Sequence, residues 1–164
     1  MSVRVKSNYL IYDGIEYKCS IGKGGFTDNK KEGDGCTPIG VFNITDILYR
    51  SDKLESFDTN YELKSILPSD GWCDDPSSEN YNTKVKFPFS KSAEKLFRQD
   101  NIYDIVCVTD HNQNPVKPGA GSAIFIHIAR EDYSNTAGCV ALRREDLIKI
   151  LSTIKKTTKI YFGF

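Results

Sequence analysis

Histidine is scarce in this chain: His111 and His127 are the only two in 164 residues. With Asp110 and Cys139 they are the residues from which a metal site would be assembled. Their separations lack the spacing of metal ligands, so no metal is expected. An excess of charge of either sign is also missing, with 22 basic against 22 acidic side chains. A nucleic-acid binder usually carries a basic stripe, so no nucleic-acid partner is expected. The nearest basic run, Lys155, Lys156 and Lys159, reads as a solvated helix end. No apolar run is long enough to span a membrane, and "MSVRVKSNYLIYDG" has no signal-peptide core. Three expectations follow: residence in the cytoplasm, export by a route not written at the N-terminus, or loss of a natural leader.

The five cysteines, at 19, 36, 73, 107 and 139, include no close pair, which excludes a zinc knuckle or a redox dithiol. An odd number leaves at least one thiol unpaired unless two chains are linked. Cys19 and Cys107 lie in apolar, strand-like stretches, whereas Cys36 and Cys73 fall in loops and are free to pair. "GKGG" lacks the spaced Gly-Lys-Ser/Thr of a phosphate loop and reads as part of a flexible surface segment. No repeat or linker interrupts the chain, so residues 1–164 are expected to form one domain.

What the sequence does contain is alternation. "NYLIY" and "IEYKCSI" flank Asp13-Gly14, a dipeptide suited to the positive φ angles of a hairpin turn. Ile15, Tyr17, Cys19 and Ile21 alternate with polar residues, as in a half-buried strand. "IYDIVCVT" is almost continuously apolar and reads as a strand covered on both faces. In "GSAIFIHIA", Ile124, Ile126 and Ile128 share one face, and Ala123, Phe125, His127 and Ala129 the other. Leu147, Ile150, Leu151 and Ile154 follow helical spacing, with Glu145 and Asp146 at the favourable N-terminal end. Lys91 to Arg98 reads as a short helix, and "KIYFGF" as a closing strand. Residues 51–90 are weakly patterned and hold the only tryptophan, Trp72, expected to pack inward; a segment of that length is often a functional surface. The sum is a mainly β, α+β domain.

Chemistry concentrates in "HIAREDYSNTAGCVAL". His127 lies on a strand, and Cys139 follows Gly138 after a polar loop long enough to bring the thiol back beside the imidazole. A cysteine nucleophile needs a base for its proton and amides for the developing oxyanion. The same residues also suit a core histidine beside an unrelated buried cysteine. Papain-like enzymes place Cys before His in the chain; here the order is reversed.

Thr136, Ala137, Gly138, Cys139 and Val140 after His127 match the Ser/Thr-x-Gly-Cys element of the L,D-transpeptidase catalytic domain. "TPIGVF", Thr37 to Phe42, resembles that family's Thr-Pro-x-Gly-x-Phe element, so the chain resembles a compact branch of the family from about Ile21 to Phe162. The resemblance implies a β-sandwich-like domain with short helices and a C-terminal helix. It implies action on peptidoglycan stem peptides in the periplasm or cell envelope, without a cofactor. Cys139 would be the nucleophile, His127 the base and acid, Gly138 an oxyanion amide and Thr136 the residue orienting His127. Substrate contacts would come from Thr37, Asp110, Phe125, Tyr133 and Arg143. An amine would resolve the thioester to a crosslink or exchange product, and water would give carboxypeptidase activity. Ala137 and Ala141 stand where many members keep polar side chains. Three further expectations remain: a secreted effector against rival cell walls, a non-catalytic wall-binding module, and a cysteine protease or amidase.

Overall fold

A computed structural model describes residues 1–164. The strands in chain order begin with β1 Ser2–Lys6, β2 Tyr9–Tyr12, β3 Ile15–Ser20, β4 Phe26–Thr27 and β5 Thr37–Pro38. Next come β6 Gly40–Phe42, β7 Ile44–Tyr49, β8 Leu63–Ser65, β9 Asp70–Cys73 and β10 Lys84–Lys86. The last are β11 Ala93–Lys95, β12 Ile105–Thr109, β13 Phe125–Ile128, β14 Val140–Leu142 and β15 Lys159–Phe162. The one helix, α1 Arg144–Thr153, lies between β14 and β15.

Ten strands form one large curled sheet in the order β6-β15-β1-β2-β3-β14-β13-β12-β7-β8. β9 sits between β10 and β11 in a small second sheet, and β4 pairs with β5. The expected hairpin is β2–β3, closed by Asp13 and Gly14 at φ of 52° and 73°. Such angles suit aspartate and glycine because neither carries a branched Cβ into the backbone.

The large sheet separates two apolar clusters. Leu147, Ile150 and Leu151 of α1, with Ile154 just after it, pack onto Val3, Leu10, Ile105, Cys107, Ile126 and Leu142 on one face. On the other face Leu48, Val106, Val108 and Phe125 meet Trp72, Leu96 and Tyr103. β12 is buried along its whole length, contributing alternate residues to each cluster. The alternation expected of β13 is kept too: Ile126 and Ile128 face the helix side, and Phe125 the opposite side.

Three expectations are corrected. Lys91 to Arg98 is not a helix; its centre is β11, where Glu94 pairs with Trp72 and Lys95 with Gly71. Pairing with β9 and full burial of Leu96 override a helix-favouring composition. Lys155 and Lys156 lie beyond the last turn of α1, which contains no basic residue. Cys36 and Cys73 are both free thiols, and Cys73 is in β9 rather than in a loop.

Candidate active site

β13 lies between β12 and β14, and this arrangement brings His127 and Cys139 together. Parallel pairing sets Ile126 opposite Val140 and His127 opposite Ala141. Cys139 immediately precedes β14, so its side chain and that of His127 open onto the same cavity of about 400 Å³. Both residues are nevertheless at least nine-tenths buried.

The loop carrying Cys139 is braced from several directions. Thr37 Oγ1 donates to the Gly138 carbonyl at 2.8 Å and accepts from the Gly22 amide at 2.9 Å. Thr136 Oγ1 donates to the Cys139 carbonyl at 2.6 Å and accepts the Gly138 amide at 3.0 Å. Backbone bonds link Lys23 to Thr136 and Thr136 to Ile21. The glycine-rich segment read as a flexible loop is therefore a wall of the site. A Cβ on Gly22 would sit 2.4 Å from the Gly35 carbonyl, and Lys23, Lys30, Glu32, Gly33 and Gly35 line the cavity.

The thiol of Cys139 donates to the Ala123 carbonyl at 3.0 Å and receives the Phe125 amide at 3.3 Å. Ala123 has a φ of 53°, unusual for a residue with a side chain. Its amide is held by Asn82 Oδ1, which also accepts from Trp72 Nε1, both at 3.0 Å. Asn82 Nδ2 donates in turn to the carbonyls of His111 and Asn112. Its side chain thus ties the Ala123 turn that receives the thiol to Trp72 and to the 111–112 backbone.

His127 Nδ1 lies 2.9 Å from the Ile128 carbonyl. A carbonyl only accepts, so Nδ1 carries the proton of the neutral ring and Nε2 keeps the lone pair. Burial holds His127 down at about 4, and Arg98 and Arg130 press in the same direction against the Ile128 carbonyl. Burial also pushes the Cys139 thiol up to about 12, opposed by the Phe125 amide. The resting pair is consequently thiol and neutral imidazole.

The cavity is polar and mixed in charge. Lys23, Lys30, Arg98 and Arg130 line it together with Glu32, Asp74 and Glu94. Glu94 is pushed up to about 7, chiefly by burial and further by the charges of Asp74 and Glu32, against the hydrogen bond from Tyr103.

These shifts predict how stability varies with pH. His127 and His111 both fall from 6.5 to about 4 on folding, so the stability they carry is complete above 6.5 and drains as pH drops through 4. The thiols of Cys19, Cys107 and Cys139 rise from 9 to about 12, so their share is complete below 9 and lost as pH climbs towards 12. Glu94, raised from 4.5 to about 7, loses its share across that interval and partly offsets the histidines. Thermal melts are expected to peak between about pH 7 and 9 and to fall on both sides. A melting temperature unchanged up to pH 11 would contradict burial of the three thiols.

The residues expected to contact substrate fare differently from the pair. Thr37 is fully buried and acts as the brace described above. Phe125 is fully buried with its ring edge-on to Trp72 and Tyr103, and offers the thiol only its amide. Asp110 accepts two hydrogen bonds from Asn43, tying down the turn before β7. Tyr133 and Arg143 line a separate groove, where Lys18 lies over the Tyr133 ring and Arg143 pairs with Asp146. None of the five presents its side chain to the cavity of Cys139. Thr136 lines that cavity but bonds Gly138 and Cys139, so the atom orienting His127 is the Ile128 carbonyl. The Gly138 amide is already engaged by Thr136, whereas the Cys139 amide donates to no protein acceptor.

Sequence reasoning missed Asn82, Glu94, Tyr103 and the charged lining of the cavity. Only Asn82 had a signal, and an indirect one: it lies in the weakly patterned 51–90 segment, long enough to suggest a functional surface.

No curated protein sequence matches this chain. The YkuD family model, described as the L,D-transpeptidase catalytic domain, matches residues 4–162. It thus spans both sequence elements that meet at Cys139, the Thr37 brace and the Gly138–Cys139 turn, together with nearly all of the sheet that joins them. The chain belongs to the L,D-transpeptidase catalytic-domain family, whose enzymes act on peptidoglycan.

Proposed function

We propose that Cys139 attacks the carbonyl of the third residue of a peptidoglycan stem tetrapeptide, with His127 Nε2 as its base. The observation that carries this reading is the shared cavity: a thiol just before β14 and an imidazole on β13 whose lone pair is free both face it. Because both groups rest neutral, the proton leaves the thiol as sulfur attacks, not in advance. Substrate entry must draw the thiol from the Ala123 carbonyl towards Nε2.

The unengaged Cys139 amide is the donor best placed for the oxyanion, in preference to that of Gly138. Collapse of the tetrahedral adduct breaks the bond to the terminal D-alanine, whose nitrogen takes the proton from Nε2. A second amine then attacks the thioester, Nε2 accepts its proton, and that proton returns to the sulfur. With water in place of the amine, the same steps give L,D-carboxypeptidase activity. The working location is the cell envelope, where the substrate is.

Intact-mass spectrometry with a carbapenem tests the reading. One adduct per chain, mapped to the peptide containing Cys139, is expected. An unmodified protein that also leaves a tetrapeptide stem intact overturns it.

A further inference from the structure

His127 has a single hydrogen bond, to the carbonyl of the next residue in its own strand. One bond at one ring nitrogen leaves the imidazole free to rock about that axis. A base must hold its lone pair within hydrogen-bond reach of the proton it takes. Something else has to fix the ring plane, and the surface packed against it is Tyr103, edge-on with centroids 5.2 Å apart.

Tyr103 is itself held on several sides. Its ring meets Phe125 at 5.9 Å, and the Arg98 guanidinium lies 5.4 Å from its centroid. Its hydroxyl donates to Glu94 Oε1 at 2.8 Å. Glu94 belongs to β11 and so to the small sheet, whose central strand carries Trp72. Arg98, whose charge acts on Glu94, is engaged by Asp100, and none of the protein's ion pairs includes Glu94. A partly buried carboxyl with no ion-pair partner is costly to keep, and a neutral acceptor would satisfy a tyrosine hydroxyl equally well.

We propose that Tyr103 and Glu94 are positioning residues for His127: Glu94 anchors the Tyr103 hydroxyl, and the anchored ring holds the imidazole with Nε2 turned into the cavity. The small sheet and its β9–β10 connection thereby steady both reacting groups, the thiol through Asn82 and Ala123, and the imidazole through Glu94 and Tyr103. This inference rests on the reading of Cys139 and His127 as nucleophile and base.

The test compares wild type with Tyr103→Phe, Glu94→Ala, Glu94→Gln and the Tyr103→Phe/Glu94→Ala double variant in tetrapeptide turnover. Tyr103→Phe keeps the ring and removes only the anchor, and is expected to lower kcat about tenfold with KM within about twofold. Glu94→Ala should match it, and the double variant should be no worse than either, because all three break one link. Glu94→Gln retains an acceptor oxygen and should return kcat to within about threefold of wild type. In 15N spectra of the histidines, Tyr103→Phe should broaden or shift the His127 signals while Nδ1 stays protonated. Should Glu94→Ala not fold, Tyr103→Phe with its spectra decides alone.

A Tyr103→Phe enzyme with wild-type kcat and unchanged His127 signals, and only a lower melting temperature, would overturn the proposal. Additive losses in the double variant would do the same. Failure of the underlying reading looks different, since the wild-type protein would then take no carbapenem and turn over no tetrapeptide.

Discussion

Cys139→Ala is expected to fold and to lose turnover of a tetrapeptide stem by a factor of about 10⁴ or more, together with all labelling by a carbapenem. The expectation follows from the geometry around the sulfur. It is the one nucleophilic atom on the cavity wall with a base on the adjacent strand and an unengaged amide of its own residue. The fold should survive because the sulfur makes only two modest hydrogen bonds, to the Ala123 carbonyl and from the Phe125 amide. Losing them with the sulfur's packing costs roughly 1–2 kcal/mol. His127→Gln is the companion experiment. It should lower turnover by about 10²–10⁴, the usual range for a general base. Its Cys139 should still be alkylated by iodoacetamide as pH rises towards the thiol's own ionisation. A Cys139→Ala protein that keeps more than a few per cent of turnover would move the nucleophile elsewhere.

Gly138→Ala should damage both fold and activity. Gly138 has a φ of 146°, and a Cβ there would lie 2.8 Å from the Cys36 carbonyl. The backbone conformation alone costs a side chain about 1–3 kcal/mol. The contact adds to that, because its neighbour is backbone in a segment held by Thr37 and Asp34. Gly138 cannot step aside freely, with its carbonyl on Thr37 and its amide on Thr136. The strain is therefore passed to Cys139. A total of about 2–4 kcal/mol should lower the melting temperature by roughly 5–12 °C in a domain of this size. A sulfur displaced by about 1 Å should lose about 100-fold in turnover. Gly14→Ala is the control: its φ is 73°, but nothing lies within 4 Å of the added Cβ. It should melt slightly lower and turn over normally. Wild-type melting and turnover in Gly138→Ala would show that the turn is not under this constraint.

Much of the scaffold was legible in the sequence because strand and helix periods are local. Asp13-Gly14 between alternating arms marked the hairpin, the apolar run at 105–108 marked the buried strand, and Leu147, Ile150, Leu151 and Ile154 marked the helix. Thr37 and Cys139 were both identifiable because each lies in a short motif whose residue types are dictated by close backbone packing. What those motifs do to one another was not. Thr37 was expected to touch substrate, and it instead holds the carbonyl of a residue 101 positions away.

By itself, then, the sequence determined the class of fold, the family and the two side chains most suited to thiol chemistry. Only the tertiary structure decided their surroundings. Lys91 to Arg98 became a strand because β9 offered it a partner. Five expected substrate contacts fell outside the cavity, and Glu32, Asp74, Glu94, Arg98 and Tyr103 came into it. The physical reason is one of range. Periodicity reports which face of its own element a side chain occupies, whereas the walls of a cavity are chosen by lateral pairing between strands far apart in sequence. Charged residues in irregular segments have no period to betray which wall they will join.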